Sequence, residues 1–349
     1  MEKQISIIIP TYNMEKYIGK CLDSLLIPEF DEVEVLVVND GSKDRSSEIA
    51  HSYADRYLDS IRVIDKPNGN YGSCINAALP LATGRYVKVL DADDSFDTSA
   101  FSKFIKELRN CNEDAVLTTF RFINEDGEVT RIVDTVFSAK GVETASCNFD
   151  EVENTQFSIY NQMHLLSYNR SIFERFDYHQ TEGISYTDTE WAIIPLSFCK
   201  TARFININLY RYLFGRPGQT TTEEQMRKSI SHFGKVAYDL AYYFNKEGKN
   251  SLNFHFLENQ IYLYHAYFYD LICKMDIPDR YTLLKKHDED LRNLAPSIYA
   301  RIGSIKYDDL VSYCKYEDFR KKGYPADFSV PLRVKMQLSF KTKFSKLFK

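Results

Sequence analysis

The sequence predicts an α/β fold over its first two thirds and a helical region after it. Two patterns carry that expectation. Short apolar runs alternate with amphipathic stretches from residue 5 to about 120, and from about residue 224 the apolar residues recur at helical spacing instead. Ile5 to Ile9 is an Ile-rich run ended by Pro10, which reads as a buried strand. Residues 15–27 place Tyr17, Ile18, Cys21, Leu22, Leu25 and Leu26 at helical spacing. Val33 to Val38 is a second strand, apolar except for Glu34, closed by Asn39-Asp40-Gly41-Ser42; Ser42 suits the cap of the next helix. Ile61 to Ile64 is a third strand and 71–83 a helix; Tyr86 to Leu90 is a fourth strand and 98–110 a helix; Ala115 to Phe120 is a fifth strand. Such alternation implies a parallel sheet with helices on both faces, and ligands then bind beyond the carboxyl ends of the strands. Residues 121–160 read as short strands and loops. Ile230, Phe233, Ala237, Leu240 and Phe244 mark one helix face, and Leu257, Ile261, Tyr264, Phe268 and Leu271 another. The expected division is an α/β catalytic domain over 1–222 and a helical region with a basic tail over 223–349.

Length and composition set the outer bounds. The 349 residues suit one large domain or two modest ones, and 44% hydrophobic content is enough for a sizeable core. No apolar run approaches the ~18 residues of a membrane-spanning helix. The N-terminus enters a strand within five residues, so no signal peptide is expected. Seven scattered cysteines without a CxxC pair argue for a reducing cytosol rather than a disulfide framework. The net charge of −5 hides an asymmetry: residues 333–349 carry six basic side chains and no acidic one. Without them the body holds 38 basic and 49 acidic residues, too acidic to grip nucleic acid non-specifically.

The chemistry-bearing residues sit just after the strands. Asp91-Ala92-Asp93-Asp94 follows Val87-Lys88-Val89-Leu90, and three carboxylates this close repel one another unless a cation sits among them. Hard oxygen ligands at a strand end suit Mg²⁺ or Mn²⁺, which would bridge nucleotide phosphates; a solvated acidic turn capping the next helix is the plainer alternative. Asp40 closes the second strand, where a carboxylate can accept from a base or ribose or simply make an Asp-Gly turn. Pro10-Thr11-Tyr12-Asn13 follows the first strand and offers a ring to a base.

Taken together over Ile5–Asp97, these segments resemble the family 2 glycosyltransferases. The resemblance implies the GT-A nucleotide-diphospho-sugar transferase fold, a Rossmann-like mixed sheet flanked by helices. It implies that Asp40 recognises the base, that Pro10, Thr11 and Tyr12 line the nucleoside, and that Asp91 and Asp93 form the Asp-x-Asp metal motif, with Asp93 the direct ligand. Asn39 departs from the family, which usually carries Asp there. Asn68 and Asn76 match a family segment near the donor. In Tyr186-Thr187-Asp188-Thr189-Glu190-Trp191 the family usually shows Glu-Asp; Asp188 then resembles the general base, with Glu190 the fallback, although an ordinary helix cap has the same composition. Arg216-Pro217-Gly218-Gln219-Thr220 resembles a mobile loop over the diphosphate, Arg216 meeting phosphate oxygens; a simple Pro-Gly turn reads the same way. His164 precedes a segment that resembles the acceptor side.

The implied activity is inverting transfer from a nucleotide-diphospho-sugar, with uridine the implied nucleoside, to a hydroxyl of a saccharide or lipid-linked acceptor in cell-surface polysaccharide synthesis. Two other readings are a catalytically degenerate sugar-nucleotide-binding module and, from Asp91-x-Asp93-x-Ser95, a haloacid-dehalogenase-like phosphatase. Met336, Phe340, Phe344 and Leu347 share a helical face among lysines, which suits either peripheral contact with the inner face of the plasma membrane or packing on the body.

Overall fold

The computed structural model describes residues 2–133, 141–148, 162–275, 277–304 and 320. The basic segment 333–349 therefore lies outside the described residues. Contacts divide the chain into two compact units, Met1–Gln225 with Asn250–Leu257, and Met226–Lys249 with Glu258–Lys349.

The first unit is built on one sheet. Strands β1 (Ile5–Thr11), β2 (Val33–Asn39), β3 (Ile61–Asp65) and β4 (Tyr86–Val89) lie in the order β3-β2-β1-β4 and are parallel. Their β-branched runs are buried from both faces: Ile5, Ile7, Ile8, Ile9, Val35, Val37 and Val38 are inaccessible to solvent. Glu34, the polar exception in β2, accepts from Ser6 Oγ at 2.5 Å and from the Thr83 amide at 2.8 Å, which ties two parallel strands to the turn before β4. That turn passes so close to β1 that a Cβ on Gly84 would lie 2.4 Å from the Ser6 nitrogen, so only glycine fits.

Helices α1 (Ile18–Asp23), α2 (Ser46–Arg56), α3 (Asn70–Ala78) and α4 (Thr98–Leu108) follow the strands as the alternation predicts. Arg45, not Ser42, occupies the N-cap of α2, because Ser42 Oγ is turned to the Asn13 amide.

The purely parallel sheet stops at β4. The short β5 (Ser95–Phe96) precedes α4, and β6 (Ala115–Ile123), β7 (Val129–Val133), β8 (Thr144–Asn148), β9 (Leu166–Asn169) and β10 (Thr201–Leu213) complete a mixed sheet. The four-residue β9 inserts antiparallel between β4 and β6. The 13-residue β10 runs parallel to β6 and antiparallel to β5 and β8. The mixed sheet implied by the resemblance is thus present, and the alternation alone had exposed only its parallel half.

Helix α5 (Asp188–Ile193) leads to β10. Trp191 fixes it from behind, stacked on Phe173 with ring centroids 5.5 Å apart and edge-on to Tyr168, whose hydroxyl donates to the Trp191 carbonyl at 3.0 Å. Asn253 closes this unit by donating to the Cys199 carbonyl at 2.6 Å. The chain also forms α6 (Glu223–Lys228), α7 (Ile230–Glu247), α8 (Phe254–Lys274), α9 (Arg280–Leu294) and α10 (Pro296–Ser304). The helical spacing holds here: α7 buries Phe233, Ala237, Leu240 and Phe244, and α8 buries Leu257, Ile261, Tyr264, Phe268 and Leu271.

Candidate active site

The carboxyl ends of β1, β2 and β4 open into a cleft of about 210 Å³, lined among others by Pro10, Thr11, Tyr12, Asp40, Asn68, Asp91, Asp93 and Arg216. Eight sequence-predicted site residues therefore meet in one place. Thr11 is locked by donating to the Ile9 carbonyl, and its own carbonyl accepts from the Asp40 amide at 2.9 Å, so the ends of β1 and β2 are joined. The Tyr12 ring is 45% exposed at the rim.

Asp40 is almost fully buried, and its carboxylate holds the following loop in place. Oδ1 accepts from Lys66 Nζ at 2.7 Å and the Gly69 amide at 2.9 Å; Oδ2 accepts from Asn68 Nδ2 at 3.0 Å and the Asn70 amide at 2.9 Å. Asn39, the departure from the family pattern, donates from Nδ2 to Asp65 Oδ1 at 2.7 Å and accepts from the Ser42 amide. An Asp at 39 would set two carboxylates against each other, and Asn removes that repulsion.

The acidic run divides its labour. Asp94 is buried and turned to β10: its oxygens accept from the Tyr210 hydroxyl and the Leu213 amide, each at 2.7 Å. Asp93 pairs with Arg216, whose guanidinium also lies over the Tyr17 ring at 5.4 Å. Burial raises the pKa of Asp91, and the charges of Asp93 and Asp188 raise it further, while Tyr71 and Arg216 oppose them. Burial likewise lifts the carboxyl of Asp188. Tyr71, a cleft residue, has its phenol pushed up by burial and by the fields of both Asp91 and Asp188. Asp188 is thereby placed within electrostatic reach of the Asp-x-Asp motif, although some 95 residues separate them in sequence.

The excess of negative charge at these strand ends is what a divalent cation would relieve, so the donor set fits one. Ligating atoms of Asp91, Asp94 and His164 lie within 4.8 Å of one another. Both His164 ring nitrogens are buried without a hydrogen-bond partner, and burial lowers its pKa to about 3, keeping the imidazole neutral as a ligand must be. The ring stacks on Phe120 with centroids 5.1 Å apart. Of this trio, Asp91 alone belongs to the predicted metal pair. Asp94 stood visible in the acidic triplet, but nothing in the sequence showed that β10 would claim it.

Two expectations change. Asn76 is not a lining residue of the cleft: its amide is consumed by Gln180 and Glu182, because α3 turns that face toward the 180–182 segment. Glu190, the fallback base, is 2% exposed and accepts from the Thr181 amide through Oε2 at 2.8 Å, facing the core beside Trp191. Tyr71 lines the cleft and was missed by the sequence reading, because it stands in no motif.

Residues 6–177 match the family described as glycosyl transferase family 2. The chain is 28% identical over 267 residues to the uncharacterized glycosyltransferase EpsJ of Bacillus subtilis (strain 168), covering 74% of this chain and 76% of that one. It is 38% identical over 127 residues to the chondroitin synthase of Pasteurella multocida (strain Pm70), covering 36% of this chain and 13% of the synthase. It spans only 34% and 46% of two mycoplasmal glycosyltransferases. Among solved structures it resembles S. aureus TarS 1–349 in complex with UDP-GlcNAc, with a TM-score of 0.55 at 20% identity over 92% of each chain, a likeness of fold.

Proposed function

We propose that the chain, whose residues 6–177 match glycosyl transferase family 2, transfers a sugar, with inversion, from a UDP-sugar to a hydroxyl of a saccharide or lipid-linked acceptor, using Mg²⁺ or Mn²⁺, in the synthesis of a cell-surface polysaccharide. The observation that carries this reading is the gathering of Tyr12, Asp40, Asp93 and Arg216 in one cleft with Asp188 acting on Asp91 beside it. The polysaccharide assignment draws on the relative named chondroitin synthase, and the uridine on the TarS complex with UDP-GlcNAc.

Tyr12 offers its exposed ring to the base, and Asp40 holds the Lys66–Asn70 loop against the nucleoside. Asp91 and Asp93 would hold the cation, with Asp94 and His164 next to them. When bound, the cation supplies charge neutralisation for the departing diphosphate. Arg216 stands at the same place with a guanidinium suited to phosphate oxygens. Asp188 takes the proton of the acceptor hydroxyl as that oxygen attacks the anomeric carbon from the face opposite the diphosphate. Its raised pKa makes it a stronger base than an exposed aspartate.

Two measurements test this. UDP with Mn²⁺ is expected to raise the melting temperature of the wild type, and Asp93→Ala to lose that stabilisation; no shift with any nucleoside diphosphate would reject the donor site. Asp188→Asn is expected to lose transfer by 10²-fold or more while keeping UDP binding. Turnover near the wild-type rate in that variant would remove Asp188 as the base.

A further inference from the structure

We propose that Asn76, acting through Gln180, is a positioning residue for the general base: together they fix the segment that carries Asp188 against the helix that frames the donor cleft. The proposal rests on the reading of Asp188 given above.

The connection is continuous. Asp40 pins the start of α3 by accepting from the Gly69 and Asn70 amides. Nearly two turns further along, Asn76 grips the backbone of Gln180 from both sides, its Nδ2 donating to the Gln180 carbonyl at 2.8 Å and its Oδ1 accepting from the Gln180 amide at 2.9 Å. This two-point pairing fixes both position and direction of the segment, as a strand partner would. Nδ2 also donates to Glu182 Oε1 at 2.8 Å. The Gly183 amide donates to the Gly69 carbonyl at 2.8 Å, so the segment is held at both ends of the helix face. Between these points the backbones almost touch. A Cβ on Gly72 would lie 2.0 Å from the Thr181 carbonyl oxygen, which only glycine permits.

Gln180 passes the constraint on. It is fully buried, and its Nε2 donates to the Thr187 carbonyl at 2.7 Å and to Thr187 Oγ1 at 3.1 Å. Thr187 is itself fully buried and immediately precedes Asp188. The neighbouring Tyr186 is held at φ +69°, a backbone state that a tyrosine adopts only when its surroundings impose it. Asn76 is not among the residues that line the cleft, and its side-chain amide is engaged by the 180–182 segment instead. What it controls is where Asp188 stands relative to Asp91. Displacement of a catalytic group by about 1 Å costs on the order of 10²-fold in rate.

The test uses the full chain with Asn76→Ala and Gln180→Glu. Gln180→Glu keeps the volume and the backbone clamp but removes the amide nitrogen that donates to both Thr187 oxygens at once. Turnover is read as UDP release from UDP-GlcNAc and UDP-glucose, and binding as the affinity for UDP with Mn²⁺. The expected result is a 10–100-fold loss of kcat in both variants with UDP affinity held within about twofold. In an Asp188→Asn background Asn76→Ala is expected to add less than about twofold, because a residue that acts through the base has nothing left to act on. Loss of UDP affinity in parallel with kcat, unchanged kcat, or a full multiplicative loss in the Asp188→Asn background would each overturn the proposal. If Asn76→Ala fails to fold, Gln180→Glu alone is read by the same criteria, including the Asp188→Asn background. Wild-type turnover in Asp188→Asn alone overturns the base reading itself, whereas an inactive Asp188→Asn beside a fully active Asn76→Ala overturns only the positioning role.

Discussion

Lys88 is fully buried, and its amine donates to the carbonyls of His164 at 2.8 Å and Leu166 at 3.1 Å. Burial lowers its pKa to about 7, so much of the population carries a neutral amine, whose two hydrogens match two carbonyls. Because the unfolded chain keeps an ordinary lysine, it binds more protons than the folded state between about pH 7 and 10.5. Stability from this group therefore rises with pH across that window and is flat below it. Melting temperatures from pH 7 to 9 are expected to climb in the wild type relative to Lys88→Met, and identical slopes would contradict the assignment. The same reasoning applies to the proposed general base. Asp188 is raised by burial, so it must lose its proton above the ordinary aspartate range before it can act. The acid limb of the wild-type pH–rate profile is expected above the ordinary aspartate range, and a limb within that range would contradict Asp188 as the base. Asn39 shows the opposite economy, since it removes a charge where Asp65 already supplies one.

At the scale of elements, β10 joins the metal motif to the far side of the sheet. Its Tyr210 hydroxyl donates to Asp94 and accepts from the Asp91 amide at 3.1 Å. Tyr210→Phe leaves a buried carboxylate oxygen without its donor, and a loss of about 1–3 kcal/mol is expected in urea denaturation. An unchanged midpoint would mean that the Leu213 amide alone suffices. This element also marks how far the sequence could be read. The parallel strands β1–β4 were legible because both faces are buried, which leaves near-continuous apolar runs such as Ile7-Ile8-Ile9. In β10, Arg203, Asn206, Asn208 and Arg211 interrupt the apolar run, and two register shifts against β6 break the alternation, so the strand has no clean period. β9 was too short to register, so the antiparallel insertion between β4 and β6 went unseen. The site divides along the same line. Asp40, Asp91 and Asp93 follow apolar runs and announced themselves, whereas Gln180 and Tyr71 are held by partners about a hundred residues away, Asn76 and Met163, and spacing cannot show that.

At the scale of the whole molecule, an acidic body of 38 basic and 49 acidic residues is joined to a basic, aromatic-bearing end. Among the described residues no helix is long and apolar enough to cross a membrane. If the 333–349 segment serves a lipid-linked acceptor, flotation with anionic liposomes is expected to depend on it and to weaken with salt; flotation unchanged by its deletion would sever the two. The pairing of Asp93 with Arg216 reaches furthest. Metal alone must take Asp93 from a guanidinium and leave that cation unsatisfied, and a diphosphate alone must draw Arg216 away and leave Asp93 bare. Arriving together, each supplies the partner that the other displaced. The proposed donor site therefore predicts that metal and nucleotide bind synergistically, each raising the other's affinity by the same factor. Titration calorimetry reads that factor in either order, and affinities that are independent of one another would contradict the proposed site.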